Sequence, residues 1–150
     1  MFQLFFEALE RTSPAVAIKQ STWVMPLANT IHALGMTILI GSIIILSLRL
    51  LGVAMPQLAE VWPWTIAGLV IMLASGLFLF VPESTRWYGS TPFRVKMSFL
   101  FVAVLFHFTV FRRMVRAEHP KSRLRQGIGA LALILWFGVG WGGRAITFLE

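Results

Sequence analysis

Arg112-Arg113-Met114-Val115-Arg116-Ala117-Glu118-His119-Pro120-Lys121-Ser122-Arg123-Leu124-Arg125 is the stretch on which the fold turns. It holds six cations and separates two long apolar runs. Before it, Val95 to Phe111 is interrupted only by Lys96, Ser98, His107 and Thr109. After it, Gly127 to Phe148 carries one charge, Arg144. A helix of roughly 20 apolar residues crosses a bilayer, and Lys and Arg gathered in a short loop between two such helices mark the cytoplasmic side. The loop is therefore expected to face the cytoplasm, and the rest of the chain is oriented from it.

Composition agrees. Of 150 residues, 57% are hydrophobic and 13% charged, with a mean hydropathy of +0.79. A soluble domain of this length carries about 25% charged residues, so the class is an integral membrane protein of one domain, residues 1–150. The net charge of +7 sits in the segments that flank apolar runs. It suits contact with anionic lipid headgroups, and nucleic acid is not expected as a partner. There is no cysteine, which excludes disulfides, thiolate metal sites, Fe–S clusters and covalently attached c-type haem. No cleavable signal peptide is expected, because Met1 to Glu10 is acidic and lacks a continuous apolar core.

Phe2, Phe5, Phe6 and Leu9 follow the i, i+3, i+4, i+7 spacing of a short amphipathic helix lying in the interface, within about residues 1–20. Ser13-Pro14 reads as a stop and restart. Four spans follow, over about 25–48, 61–81, 93–111 and 127–148. With the basic loop inside, both termini and the loop from Pro82 to Pro92 face the periplasm, and Arg49 to Glu60 faces the cytoplasm. Trp23 and Trp87 then belong to an outer aromatic belt, Trp62 and Trp64 to an inner one. Gly138-x-x-x-Gly142 permits close helix approach, and Gly68 and Gly76 share a face of the second span. The fold class expected is all-α: a four-transmembrane-helix bundle with an N-terminal amphipathic helix, in the bacterial inner membrane.

Ionisable groups at membrane depth are costly and usually functional. His32 lies about two turns inside the first span, with Asn29, Gly35 and Met36 on its face. A neutral histidine beside a glycine suits axial ligation of haem, since the missing side chain leaves room for a flat macrocycle. The alternative is a histidine hydrogen-bonded to a neighbouring helix. Lys96 and Arg144 sit near the outer ends of the third and fourth spans, where snorkelling to headgroups is the plain reading. Arg86, with Trp87 and Tyr88, lies in the outer loop. Taken together, His32, Arg86, Lys96 and Arg144 place cations around an imidazole at the outer third of the bundle, which suits haem propionates, a quinone headgroup or another anionic ligand. His107 shares a helical face with Lys96 but lies about 16 Å deeper at ~1.5 Å per residue. It is too deep for the iron of His32 and is expected to hydrogen-bond within the bundle, with a second haem site as the other reading. His119 is expected to be solvated. Seven methionines allow a copper reading through His32, Met36 and Met25, against ordinary packing.

Asn29-Thr30-Ile31-His32-Ala33-Leu34-Gly35, Leu48-Arg49-Leu50-Leu51-Gly52, Arg86-Trp87-Tyr88, Pro92-Phe93-Arg94-Val95-Lys96-Met97 and Gly143-Arg144-Ala145-Ile146 together resemble an uncharacterised bacterial four-span membrane family, over nearly the whole chain. More loosely, the first-span histidine, the arginine at that span's inner end and the lysine opening a later span are similar to HemJ-type protoporphyrinogen oxidases and the copper-resistance protein D group. The HemJ-type resemblance implies haem b on His32 and an essential role for Lys96. The longer amphipathic N-terminus and the Arg86-Trp87-Tyr88 stretch differ from HemJ, so porphyrinogen oxidation is not carried over.

The function expected is a membrane redox protein, or the membrane subunit of a redox complex with other membrane or periplasmic subunits. It would bind haem b, with quinone as a further ligand, near the periplasmic face. The alternatives are a copper-handling transport protein and a structural or lipid-binding subunit without a cofactor.

Overall fold

The computed structural model describes the backbone of residues 2–53, 60–117 and 122–149, and side chains within 3–53, 60–117 and 122–143. Among the described residues all regular structure is helical, and four helical stretches are long and apolar enough to cross a membrane. Helices α1 (Phe2–Glu10) and α2 (Ser13–Gln20) precede the first, α3 (Val24–Leu51). The second begins with α4 (Trp62–Phe80), continues through a tight turn at Val81–Glu83 and ends with α5 (Ser84–Gly89). The third comprises α6 (Thr91–Phe106), a wide turn at His107–Phe111 and α7 (Arg112–Arg116). The fourth is α8 (Arg123–Leu149).

Local chemistry moves several boundaries beyond the expected ones. The segment expected as a loop, Pro82 to Pro92, is almost wholly helical. Pro82 enters a 3₁₀ turn, where its missing amide costs nothing, and only Ser90 separates α5 from α6. The Ser90 hydroxyl accepts from the Phe93 amide at 3.2 Å and Pro92 follows in the first turn, so α6 starts at Thr91. Gly52, at φ 92°, ends α3 in the left-handed conformation that glycine tolerates. The basic stretch is also less of a loop than expected. Arg112, Arg113 and Arg116 ride on α7 and Arg123 and Arg125 on the first turn of α8; Lys121, His119 and Glu118 lie outside the described residues.

The N-terminal helices pack on the α4–α5 elbow. The Phe6 ring meets Phe80 at 5.9 Å and Tyr88 at 4.8 Å, the Ser84 hydroxyl donates to the Phe6 carbonyl, and the Thr85 amide donates to Glu10 Oε1 at 2.7 Å. This end of the bundle lies opposite the basic end.

In hydrocarbon, burying apolar surface gives little net drive, so helices associate by close packing at small residues. α3 and α4 cross on Gly35 and Gly68. A Cβ on Gly68 would lie 2.6 Å from the Leu39 amide nitrogen, and one on Gly35 would lie 2.9 Å from the Met72 nitrogen. α6 and α8 meet on Gly138, against the Phe99 ring, and on Gly142, against Lys96. The core that these crossings close includes Leu39, Ile43, Leu69, Met72, Phe111 and Trp136.

Candidate functional site

The α3–α4 crossing decides the surroundings of His32. Because the two backbones touch at Gly35 and Gly68, the next two turns of α4 bring Ser75 and Gly76 against α3. His32 Nδ1 lies 3.0 Å from Ser75 Oγ, and a Cβ on Gly76 would come within 3.1 Å of His32 Cε1. The Ser75 hydroxyl has one proton, and its shortest contact is to the Ile71 carbonyl at 2.6 Å. With that proton donated to Ile71, Nδ1 must carry the hydrogen and donate to Ser75, which leaves Nε2 with a free lone pair. A metal-bound histidine characteristically donates its other ring N–H in this way. The ring is half-buried and therefore reachable.

The space beside Gly35 is not free, which corrects the reason for expecting a macrocycle there. The side chain of Ile71 and the backbone of Met72 fill it. Gly35 serves the crossing, and the glycine that spares room around the imidazole is Gly76, from the second span. Met36 packs half-buried against the core, and Asn29 is exposed. Among the described residues no three His, Asp or Glu side chains gather as a metal cluster.

Lys96 joins the site from α6. Its stem runs along α8: a Cβ on Gly142 would lie 3.1 Å from Lys96 Cβ, and one on Gly143 would lie 3.6 Å from its Nζ. The ammonium is also within electrostatic range of His32. The side chain is half-buried and packed on a helix, which goes beyond simple snorkelling, and no hydrogen bond or ion pair engages its ammonium among the described residues. Arg144 follows Gly143 in α8, but its side chain lies outside the described residues. Arg86 is already engaged. It pairs with Glu83 at 3.4 Å and lies 5.0 Å from the Trp87 ring centre. The arrangement thus joins His32, Ser75, Gly76, Lys96, Gly142 and Gly143, one or two from each span, while Arg86 stays on the outside with its own partners.

His107 lies in the other half of the bundle and departs from expectation. It is fully buried, yet neither ring nitrogen has a hydrogen-bond partner among the described residues. It is held by rings instead. Trp62 stacks on it at 4.8 Å and 9°, Phe111 at 5.1 Å and 28°, and Trp136 meets it edge-on at 6.0 Å. The backbone here is wound wide, with the Arg112 amide donating to the His107 carbonyl five residues back. That π-turn brings His107 and Phe111 both into the core. Trp62, expected in an inner aromatic belt, is a wall of this cage, with Arg112 over its ring at 5.8 Å. Trp64 and Trp23 are exposed as belt residues would be.

Comparison with known proteins gives one finding. The model of a family of unknown function, DUF6644, matches residues 12–149. No curated protein and no solved structure matches the chain, so the looser likeness to HemJ-type and copper-resistance D proteins has no such match behind it.

Proposed function

We propose, from the premise that the chain belongs to DUF6644, a family of unknown function, that it is a membrane redox protein binding haem b through His32. The observation that carries this reading is the 3.0 Å contact between Nδ1 and Ser75: with the Ser75 proton on the Ile71 carbonyl, Nδ1 would donate and Nε2 would be left to ligate. Lys96, half-buried and without an ion-pair partner among the described residues, would hold an anionic propionate, and Arg144, next to Gly143 in α8, is the second candidate for that role. Among the described residues, Met36, packed against the core, and His107, in the opposite half, would not join His32 in holding the group. When bound, haem supplies one-electron transfer at a potential set by its ligands and surroundings. The chain's own part is to orient one imidazole through Ser75, to neutralise a carboxylate with Lys96 and to exclude water with the α3–α4 crossing.

The positive-inside rule places the Arg112–Arg125 end in the cytoplasm and His32 toward the periplasmic face of a bacterial inner membrane. Reporter fusions at Glu118 and Glu150 should report opposite sides; the same side for both overturns the orientation. For the redox reading, a reduced-minus-oxidised difference spectrum of the purified protein should show b-type bands. Copper by metal analysis, or a colourless and metal-free protein, contradicts it.

A further inference from the structure

The arginines at the basic end do not all stand alike. Arg113, Arg116 and Arg123 are exposed, as arginines that only set topology would be. Arg112 is half-buried, and so is Arg49 in the last turn of α3. One guanidinium nitrogen of each, Arg49 Nη1 and Arg112 Nε, is enclosed without a hydrogen-bond partner among the described residues. Arg112 is also oriented, with its guanidinium carbon 5.8 Å from the centre of the Trp62 ring.

Packing brings the two arginines to one level. α8 runs antiparallel to both α3 and α6, with Gly129 against the Ser47 carbonyl and Gly142 against Lys96. Followed residue for residue, the first register carries Arg49, and the second Arg112, to the same turn of α8, at Arg125-Gln126-Gly127. α7 also packs on α3. Leu50, Val115 and Ile128, each within a turn of one of these positions, are buried in one core. Two guanidinium groups held close together and half out of water are costly until an acceptor joins them. Among the described residues the acid nearest in sequence, Glu60, is exposed and pairs with neither. A cation in the last turn of α3 suits the helix dipole, but that interaction requires neither burial nor a second arginine.

We infer that Arg49 and Arg112 clamp one phosphate group, carried by an anionic phospholipid headgroup or by a soluble phosphate. A phosphate offers acceptor oxygens enough for two guanidinium forks. Basic pockets between membrane-spanning helices are where anionic headgroups bind. The inference depends neither on haem nor on which side of the membrane the basic end meets.

Native mass spectrometry of the detergent-purified protein tests it, with phosphatidylglycerol, phosphatidylcholine or inorganic phosphate added. One phosphatidylglycerol should stay bound where phosphatidylcholine is lost. In Arg49→Gln/Arg112→Gln its half-saturating concentration should rise about tenfold, the equivalent of one charge-assisted hydrogen bond. Arg113→Gln/Arg116→Gln removes the same charge from exposed positions and should bind as the native protein does. An equal loss in both proteins means that binding follows net charge, and overturns the clamp. So does a native protein that retains neither phosphatidylglycerol nor phosphate, or that holds both lipids equally. Displacement of the lipid by excess inorganic phosphate identifies a soluble phosphate as the source; resistance to it identifies the headgroup. Should the double glutamine variant fail to insert, Arg49→Lys/Arg112→Lys keeps the charge without the forks, and native-like binding there overturns the clamp.

Discussion

His32 and His107 are two imidazoles in one small bundle, and their surroundings are opposites. His32 is half-buried and hydrogen-bonded through one nitrogen to a serine of the next helix, with a glycine across from its edge and a lysine within electrostatic range. His107 is fully buried, stacked between Trp62 and Phe111, and has no hydrogen-bond partner at either nitrogen among the described residues. Burial alone would rank His107 as the more unusual residue. Reach ranks them the other way: a ligand needs an approach to a lone pair, and the rings around His107 occupy its two faces and one edge. The first arrangement leaves a held imidazole within reach from outside, while the second uses the imidazole as a flat packing piece at the cost of two unmet polar atoms among the described residues, about 1–3 kcal/mol for each such group.

The largest way to break this contrast is to pry α3 from α4. Gly68→Val puts a side chain where the Leu39 backbone already lies, 2.6 Å from a Cβ at that position. It should cost about 3 kcal/mol and remove Ser75 from His32. Gly41→Ala, where nothing lies within 4 Å, should change stability by less than about 0.5 kcal/mol. Unfolding by denaturing detergent, followed by helical circular dichroism, compares them. Equal stability of the two would remove the crossing from the account.

The cage is tested next. His107→Ala leaves a cavity between Trp62 and Phe111 and should cost about 3 kcal/mol in the same assay. His107→Phe keeps the stacked volume and deletes the two unpartnered nitrogens, so it should stay within about 1.5 kcal/mol of the native protein. A His107→Phe protein as unstable as His107→Ala would mean that the imidazole's polar atoms matter, and that His107 has a partner of its own.

A smaller effect sharpens the His32 side. Ser75→Ala removes the acceptor of the Nδ1 hydrogen and frees the ring to turn. Haem should be retained about tenfold less well, as for other lost outer partners of a ligating histidine. Transfer of haem to apomyoglobin measures this, and an unchanged transfer rate would mean that Ser75 does not orient the ligand.

Much of the architecture was legible in the residues. Runs of about 20 apolar residues give spans almost irrespective of context, and Gly138 and Gly142 announced a close approach that the Phe99 and Lys96 contacts bear out. The site was less legible because its partners come from different helices. Gly35 lies three residues after His32, on the same helical face, where its missing side chain suggests space for a ligand, yet its gap is filled by α4. Ser75 carries no local mark as a partner of His32, and its hydroxyl also bonds its own helix. Its signal was spacing: seven residues after Gly68 and next to Gly76, it falls on the glycine face of the second span. The π-turn at His107 had no such signal, because one extra residue in a helical turn follows from packing around Trp62 and Trp136 rather than from local propensity. Helices continue past the apolar run at Arg112–Arg116 and Ser84–Gly89, since hydropathy marks the hydrocarbon and not the helix.

The most direct measurement is the haem-to-protein ratio, by pyridine haemochrome, of the native protein, His32→Ala and His107→Phe purified side by side. The account predicts haem in the native protein and in His107→Phe, and none in a His32→Ala protein that still inserts and folds. Haem retained in full by His32→Ala, or lost from His107→Phe with the fold intact, would contradict it.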